Sequence, residues 1–330
     1  MIFYITFLRC IAACLITNAH YTGIYPTDII ANGGLLGDVI FFAVSGFCLY
    51  HVKGSFPRWY GKRLLRIYPQ VIIITAVYML TGSYGLETNN FFWWFIYPTY
   101  YHFVASIIVL YIPFYAIMKI EAFRKRLPWF MAGIAAIFVL VYVFAYDKTY
   151  YHIDTVREPM IWFLFFESML LGAWFRQHDE SFRMKRQKMR VRVAEIIVTI
   201  LSCGVYFLSK WIFSSREGIA EFQIFNQLAL FILLFFILLL FSGWDGKLER
   251  WPAWLKKCIR FVADLTLEIY VVQYVLIDVI RPLFGFPLNW FVLTASILIA
   301  AAALHYLVKY GKLLIVGIVD RIKQRRKADE

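Results

Sequence analysis

The chain has 330 residues, of which 62% are apolar and only 17% are charged. A mean hydropathy of +0.66 and runs such as LALFILLFFILLLF exclude an ordinary soluble domain and indicate a polytopic membrane protein. The net charge of +13 could suit a nucleic-acid partner, but the basic residues are spread over short segments between apolar stretches. We therefore expect membrane topology, and not nucleic acid, to explain the charge.

The apolar stretches predict an all-α bundle of about ten transmembrane helices. The predicted spans are residues 3–24, 34–52, 66–82, 98–118, 128–146, 160–176, 193–213, 222–243, 261–281 and 288–308. Segments that follow the even-numbered spans contain 28 of the 34 Lys and Arg residues. Because cytoplasmic loops carry an excess of these residues, we predict that both termini are cytoplasmic.

The first span contains two polar residues, Arg9 and His20, within IFYITFLRCIAACLITNAHYTGI. A cation at membrane depth costs about 2.5–3.5 kcal/mol, so such residues usually face the protein interior and have a function. Eleven residues are close to three helical turns, which predicts that both side chains lie on one face, about 16 Å apart.

Each of these two residues has a functional and a structural interpretation. The His20 imidazole can accept a proton from a hydroxyl, or it can hydrogen-bond a neighbouring helix. Arg9 can neutralise a phosphate, a carbonyl oxygen or a carboxylate, or form an intramembrane salt bridge with Glu167 or Asp38.

The second span opens with the sequence GGLLGDVIFFAVSGF at residues 33–47. Its small residues predict close approach to neighbouring helices; they are Gly33, Gly34, Gly37, Ser45 and Gly46. Asp38 is expected at a depth similar to that of His20. It could orient the imidazole as a carboxylate does in a catalytic triad, or it could be a solvated loop residue.

A basic segment, FPRWYGKRLLRIYP at residues 56–69, is predicted to begin on the cytoplasmic side. It contains Arg58, Lys62, Arg63 and Arg66. Arg63 and Arg66 are three residues apart, so on a helix they share a face and could both bind phosphate oxygens. Charge alone favours anchoring at the membrane surface over ligand binding.

Other polar residues in or near the spans are possible lining residues, although interhelical hydrogen bonds explain such residues more often. They are His102, Glu167, Glu195, Asp264, Glu268, Gln273, Asp278 and His305. The five cysteines show no CxxC spacing, and we predict neither a disulfide nor a metal site.

Three motifs together resemble the membrane acyltransferase 3 family. They are Arg9-x-x-Ala12 followed by His20, FFAVSGF at residues 41–47, and Arg63-x-x-Arg66-x-x-Pro69. Weaker similarity continues through residues 101–114 and 266–274.

The resemblance implies transfer of an acyl group, typically acetyl, from cytoplasmic acyl-CoA to a hydroxyl of a cell-surface or lipid-linked glycan. It implies that His20 is catalytic, that Arg9 lies in the same site, and that Arg63 and Arg66, with Arg58 and Lys62 nearby, bind the CoA phosphates. Residues 1–310 would form the acyltransferase domain and residues 311–330 a basic cytoplasmic tail.

The sequence departs from the family pattern at two positions. Alignment on Phe41 and Phe42 places Val39 where many members carry an acid, so Asp38 is one residue early, which rotates it by about 100° on a helix. Gln273 stands where the C-terminal motif often has a histidine, and a glutamine cannot act as a base.

We therefore expect a multi-pass enzyme of the cytoplasmic membrane that uses acyl-CoA as a donor substrate and has no tightly bound cofactor. Its expected partners are acyl-CoA, a glycan acceptor and membrane lipid. The main alternative is a transporter or flippase of a lipid-linked or acidic solute, with Arg9 as a counter-ion, and a third is a non-catalytic scaffold for glycan assembly. The sequence identifies neither the acceptor nor the oligomeric state.

Overall fold

A computed structural model describes residues 2–87, 90–155, 159–182 and 193–329, with side chains described up to Leu314 in the last helix. Every regular element within these ranges is helical. The α-helices are α1 (Phe3–Ala19), α2 (Gly34–Leu49), α3 (Phe56–Leu80), α4 (His102–Lys119), α5 (Glu121–Arg124), α6 (Leu127–Phe144), α7 (Pro159–Gln177), α8 (Val193–Ser215), α9 (Ile224–Leu248), α10 (Ala253–Asp264), α11 (Thr266–Ile280) and α12 (Leu288–Asp329). A π-helical turn covers Phe92–Ile96, and a short 3-10 helix covers Glu217–Phe222.

Six helices of the described chain are long and apolar enough to cross a membrane, which confirms a multi-pass membrane protein. They are α3, α4, α6, α8, α9 and residues Leu288–Leu314 of α12. Helices α6 and α8 bury little of their apolar surface, as expected of helices that face lipid. The other four predicted spans also coincide with helices, namely α1, α2, α7 and α11, but they are not among these six.

Three helix boundaries differ from the sequence-based prediction. Helix α3 begins at Phe56, ten residues before the predicted span, so the basic segment is its first turns. The predicted span 261–281 contains two helices that meet at Leu265, since α10 ends at Asp264 and α11 begins at Thr266. Helix α12 continues past residue 310 to Asp329 without a break.

Close packing at glycines fixes the position of α2, as its small residues predict. A Cβ atom on Gly46 would lie 1.9 Å from the Met169 carbonyl oxygen of α7. A Cβ on Gly172 of α7 would lie 1.8 Å from the Ala43 carbonyl oxygen. These distances are far below van der Waals contact, so the backbones of α2 and α7 can cross this closely only because both positions are glycine.

The ends of α1 are both held by other parts of the chain. At its N-terminus, the Tyr4 amide donates to Asp245 Oδ1 of α9 at 2.8 Å, which satisfies one of the free N–H groups of the first turn. Near its C-terminus, Asn18 Nδ2 donates to the Ile30 and Asn32 carbonyl oxygens at 2.8 and 3.1 Å. Helix α1 and the loop after it are therefore fixed in place beside His20.

Candidate functional site

A cavity of about 630 Å³ opens among α1, α2, α3, α4, α11, α12 and the end of α10. Its volume is within the range of pockets that bind small molecules and cofactors. Five cationic side chains line it: Arg9, Arg63, Arg66, Lys309 and Lys312. Two carboxylates, Asp264 and Glu268, line it as well. The cavity is thus strongly cationic and suited to an anionic ligand.

Arg9 lies inside this cavity, as a half-buried side chain of α1. Its charged neighbours include Arg66, Asp264 and Glu268. Within the described residues no carboxylate lies within 4.0 Å of its guanidinium. The salt bridge to Glu167 or Asp38 considered from the sequence is therefore not formed, and the guanidinium can bind a ligand.

Of the four basic residues predicted in segment 56–69, Arg63 and Arg66 line the cavity, whereas Arg58 and Lys62 do not. The Arg63 guanidinium carbon lies 5.1 Å from the centre of the Trp59 ring, a cation–π distance. Its Nε atom is buried and has no hydrogen-bond partner in the described protein. Arg63 is therefore held by stacking on the Trp59 ring, and its Nε–H group remains available to donate a hydrogen bond to a ligand.

Two cavity residues, Lys309 and Lys312, were not predicted as binding residues. The sequence places them in a basic C-terminal segment, where topology alone explains the charge. The structure brings them to α3, because Lys312 Nζ donates to the Leu65 carbonyl oxygen at 3.0 Å. Only the tertiary packing of α12 against α3 reveals this proximity.

A buried polar group forms one wall of the cavity. His305 Nδ1 of α12 lies 2.8 Å from Glu268 Oε1 of α11. Gln70 Nε2 of α3 donates to the same oxygen at 3.4 Å. This is the interhelical hydrogen bonding expected of such residues, and it joins three helices around the cavity.

His20 is the C-terminal cap of α1 and lies at the far end of this arrangement. Its Nδ1 atom lies 2.7 Å from the Ile16 carbonyl oxygen, a distance at which Nδ1 must carry a proton and donate it. Nε2 is therefore the nitrogen with a free lone pair, and it has no protein hydrogen-bond partner in the described ranges. The imidazole is arranged to accept a proton at Nε2.

Gln273, Tyr270 and Tyr274 of α11 surround the His20 ring. Gln273 is fully buried, and its Nε2 atom is 3.4 Å from His20 Nδ1. The Tyr274 and Tyr270 ring centres lie 5.3 and 6.4 Å from the imidazole centre, both edge-on. Gln273, which replaces the histidine common at this position, thus contacts the predicted catalytic residue.

A second, narrow cavity of about 10 Å³ lies between the main cavity and the His20 region. It shares four lining residues with the main cavity: Phe41, Phe103, Thr266 and Leu267. It is also lined by Ile16, the hydrogen-bond partner of His20, and by Tyr270. The small cavity therefore adjoins the large cavity through shared lining residues and approaches the surroundings of His20 through Ile16 and Tyr270.

Asp38 is buried in α2 and has no hydrogen bond to His20 among the described residues. Its carboxyl group lies in the neighbourhood of Tyr270 and Tyr274, the two residues that flank the imidazole. Asp38 thus lies near the His20 environment but does not contact the ring. This placement agrees with its position one residue before the acid of the family motif.

The described residues contain no group of three or more His, Cys, Asp or Glu side chains that could hold a metal ion. The polar residues of the cavity thus offer charge and proton transfer, with no cluster of metal ligands.

No curated protein and no solved structure matches the chain. The acyltransferase 3 family model, described as an acyltransferase domain, matches residues 2–309 of the 330. This match covers α1 to α11, most of the apolar length of α12 and every cavity residue named above except Lys312. The chain therefore belongs to the acyltransferase 3 family and is a membrane acyltransferase.

Proposed function

We propose that the protein transfers an acyl group, most simply acetyl, from cytoplasmic acyl-CoA to a hydroxyl of a cell-surface or lipid-linked glycan. The observation that carries the proposal is the large cationic cavity, which adjoins a small cavity next to the surroundings of His20. An acyl-CoA has the matching distribution of charge, with phosphates at one end and a small neutral thioester at the other.

The donor would enter with its thioester first, so that the thioester lies deep in the protein and the phosphates remain at the cavity mouth. Arg63 and Arg66 at the mouth would bind the phosphates through charge-assisted hydrogen bonds. Arg9 lines the same cavity near Arg66, where it would neutralise negative charge on the donor.

In this mechanism His20 is the general base. Nε2 takes the proton of the acceptor hydroxyl as the hydroxyl oxygen attacks the thioester carbonyl carbon. A C–O bond forms, the C–S bond breaks, and the CoA thiolate leaves with the proton returned by the imidazolium. The bond from Nδ1 to the Ile16 carbonyl oxygen holds the ring in the tautomer that this step requires.

The proposed topology has ten spans, cytoplasmic termini and a location in the cytoplasmic membrane. It is supported by the distribution of the basic residues, since 28 of the 34 Lys and Arg residues follow even-numbered predicted spans. The donor would then approach from the cytoplasm and the acceptor from the opposite face, where the loop after α1 lies. Acyl transfer would occur across the bilayer.

The test is acyl transfer by the purified protein in proteoliposomes. Labelled acetyl-CoA is the donor, and a glycan-lipid extract of the native host is the acceptor. We compare the wild type with His20→Ala and with Arg63→Ala plus Arg66→Ala, and His51→Ala serves as a control because His51 is exposed outside the cavity.

We expect His20→Ala to bind acetyl-CoA but to lose transfer, and the double arginine variant to need more acetyl-CoA for the same rate. The control should retain wild-type activity. Normal transfer by a folded His20→Ala variant would refute the proposed role of His20. A wild type that binds no acetyl-CoA would refute the proposed donor.

A further inference from the structure

The cavity mouth is built from two pairs of cations on two different helices. Arg63 and Arg66 are three residues apart on α3, and Lys309 and Lys312 are three residues apart on α12. The Lys312 bond to the Leu65 carbonyl oxygen brings the lysine pair next to Arg66 in space. All four side chains therefore face one opening from two sides.

No carboxylate neutralises these four cations. Within the described residues none of them has an acidic oxygen within 4.0 Å. Glu268 also lines the cavity, but it is buried against His305 at 2.8 Å. Like charges at such an opening repel one another, so an anionic ligand with more than one phosphate group would stabilise the mouth.

The two pairs differ in chemistry. Arginine presents a planar fork that binds two oxygens at once, which suits the oxygens of a diphosphate. Lysine is a compact point charge, and two lysines one turn apart suit a phosphate monoester, which carries about −1.5 to −2 charges at neutral pH. CoA contains both groups, a diphosphate in the chain and a monoester on the ribose.

We infer that Lys309 and Lys312 bind the ribose 3′-phosphate of the donor while Arg63 and Arg66 bind its diphosphate, an inference that rests on the proposed function. The lysine pair then selects the type of donor. A free CoA thioester carries the 3′-phosphate, whereas a phosphopantetheine arm on a carrier protein lacks it. The enzyme would use the former and discriminate against the latter.

The experiment measures equilibrium binding of CoA and of 3′-dephospho-CoA to the full-length protein in phosphatidylcholine nanodiscs. The test variant is Lys309→Gln plus Lys312→Gln. The matched control is Lys53→Gln plus Lys257→Gln, which removes the same charge from two exposed residues outside the cavity.

We expect the wild type and the control to bind CoA about tenfold more tightly than 3′-dephospho-CoA, the effect of about one charge-assisted contact. The test variant should lose this preference and keep its affinity for 3′-dephospho-CoA, which also shows that it is folded. Addition of salt should weaken the preference, because salt screens exposed charges.

Two results would overturn the inference and leave the proposed function intact. One is equal affinity of the wild type for both ligands, and the other is a preference that survives in the test variant. If the test variant keeps the preference but retains less labelled phosphatidylglycerol on purification, the lysines bind a lipid headgroup phosphate instead. Failure of the wild type to bind either nucleotide would refute the proposed donor itself.

Discussion

The Nδ1 atom of His20 lies 2.7 Å from the carbonyl oxygen of Ile16, one turn earlier in α1. This carbonyl is one of the last four of the helix, which lack an amide partner within it. The same hydrogen bond therefore completes the C-terminus of α1 and fixes the tautomer of the imidazole. The end of the helix and the orientation of the proposed base are one structural feature.

This relationship predicts different effects of two substitutions at His20. In His20→Asn the side-chain amide can still donate to the Ile16 carbonyl oxygen, but no basic nitrogen remains. We expect acyl transfer to fall by about 10²–10⁴-fold, the usual contribution of a general base, with the affinity for acetyl-CoA unchanged. Single-turnover rates and CoA binding of the purified protein provide the measurement.

Comparison with His20→Ala separates catalysis from helix capping. The alanine variant should lose the same activity and also unfold at a lower temperature than His20→Asn. If His20→Asn transfers acyl groups at the wild-type rate, Nε2 is not the base.

Much of the fold could be predicted from residue patterns. Each predicted span overlaps a helix, and six of the described helices are long and apolar enough to cross a membrane. The small residues of α2 predict a close helix contact, but they do not identify α7 as its partner. The start of α3 was not predicted, because the charges of Arg58 and Lys62 suggest a loop, yet the segment is helical and lies at the end of an apolar helix. Basic charge indicates on which side of the membrane a segment lies, but it does not determine whether the backbone of that segment is helical.

The candidate site was predicted only where local spacing determines proximity. Arg63 and Arg66 share a helix face through their spacing, and both line the cavity. The pairing of Glu268 with His305 and the approach of Lys312 to α3 depend on how distant helices pack. No local pattern in a single sequence encodes such contacts.

Two substitutions of Arg9 separate the effect of its positive charge from that of its planar guanidinium group. Arg9→Lys keeps the positive charge in the cavity but loses the planar fork, and Arg9→Gln loses both. If Arg9 neutralises negative charge on the donor, we expect Arg9→Gln to raise the KM for acetyl-CoA by about 10–100-fold and Arg9→Lys to raise it less. Steady-state kinetics with acetyl-CoA test this. Equal activity of Arg9→Gln and wild type would exclude the role.

The Glu268–His305 pair predicts coupling between α11 and α12. Because Glu268 is buried, removal of either partner leaves the other polar group with one hydrogen bond fewer. We expect Glu268→Leu and His305→Leu each to destabilise the protein, and the double variant to lose less than the sum. A double-mutant cycle on thermal unfolding in detergent should give a coupling of about 0.5–3 kcal/mol. Additive effects would show that the contact does not stabilise the bundle.

The crossing of α2 and α7 predicts a large effect of a single methyl group. In Gly46→Ala the new Cβ would meet the Met169 carbonyl oxygen at 1.9 Å, and in Gly172→Ala it would meet the Ala43 carbonyl oxygen at 1.8 Å. Backbone atoms cannot rotate away, so the two helices must separate, and we expect low yield of folded protein and a lower unfolding temperature for both variants.

Gly204→Ala is the matched control, because nothing lies within 4 Å of a Cβ at that helical position, and alanine favours a helix over glycine by about 1 kcal/mol. Size-exclusion chromatography and thermal unfolding in detergent provide the measurement. Wild-type stability of both Gly46→Ala and Gly172→Ala would show that α2 and α7 do not cross at these residues, and the cavity wall formed by α2 would then need a different position.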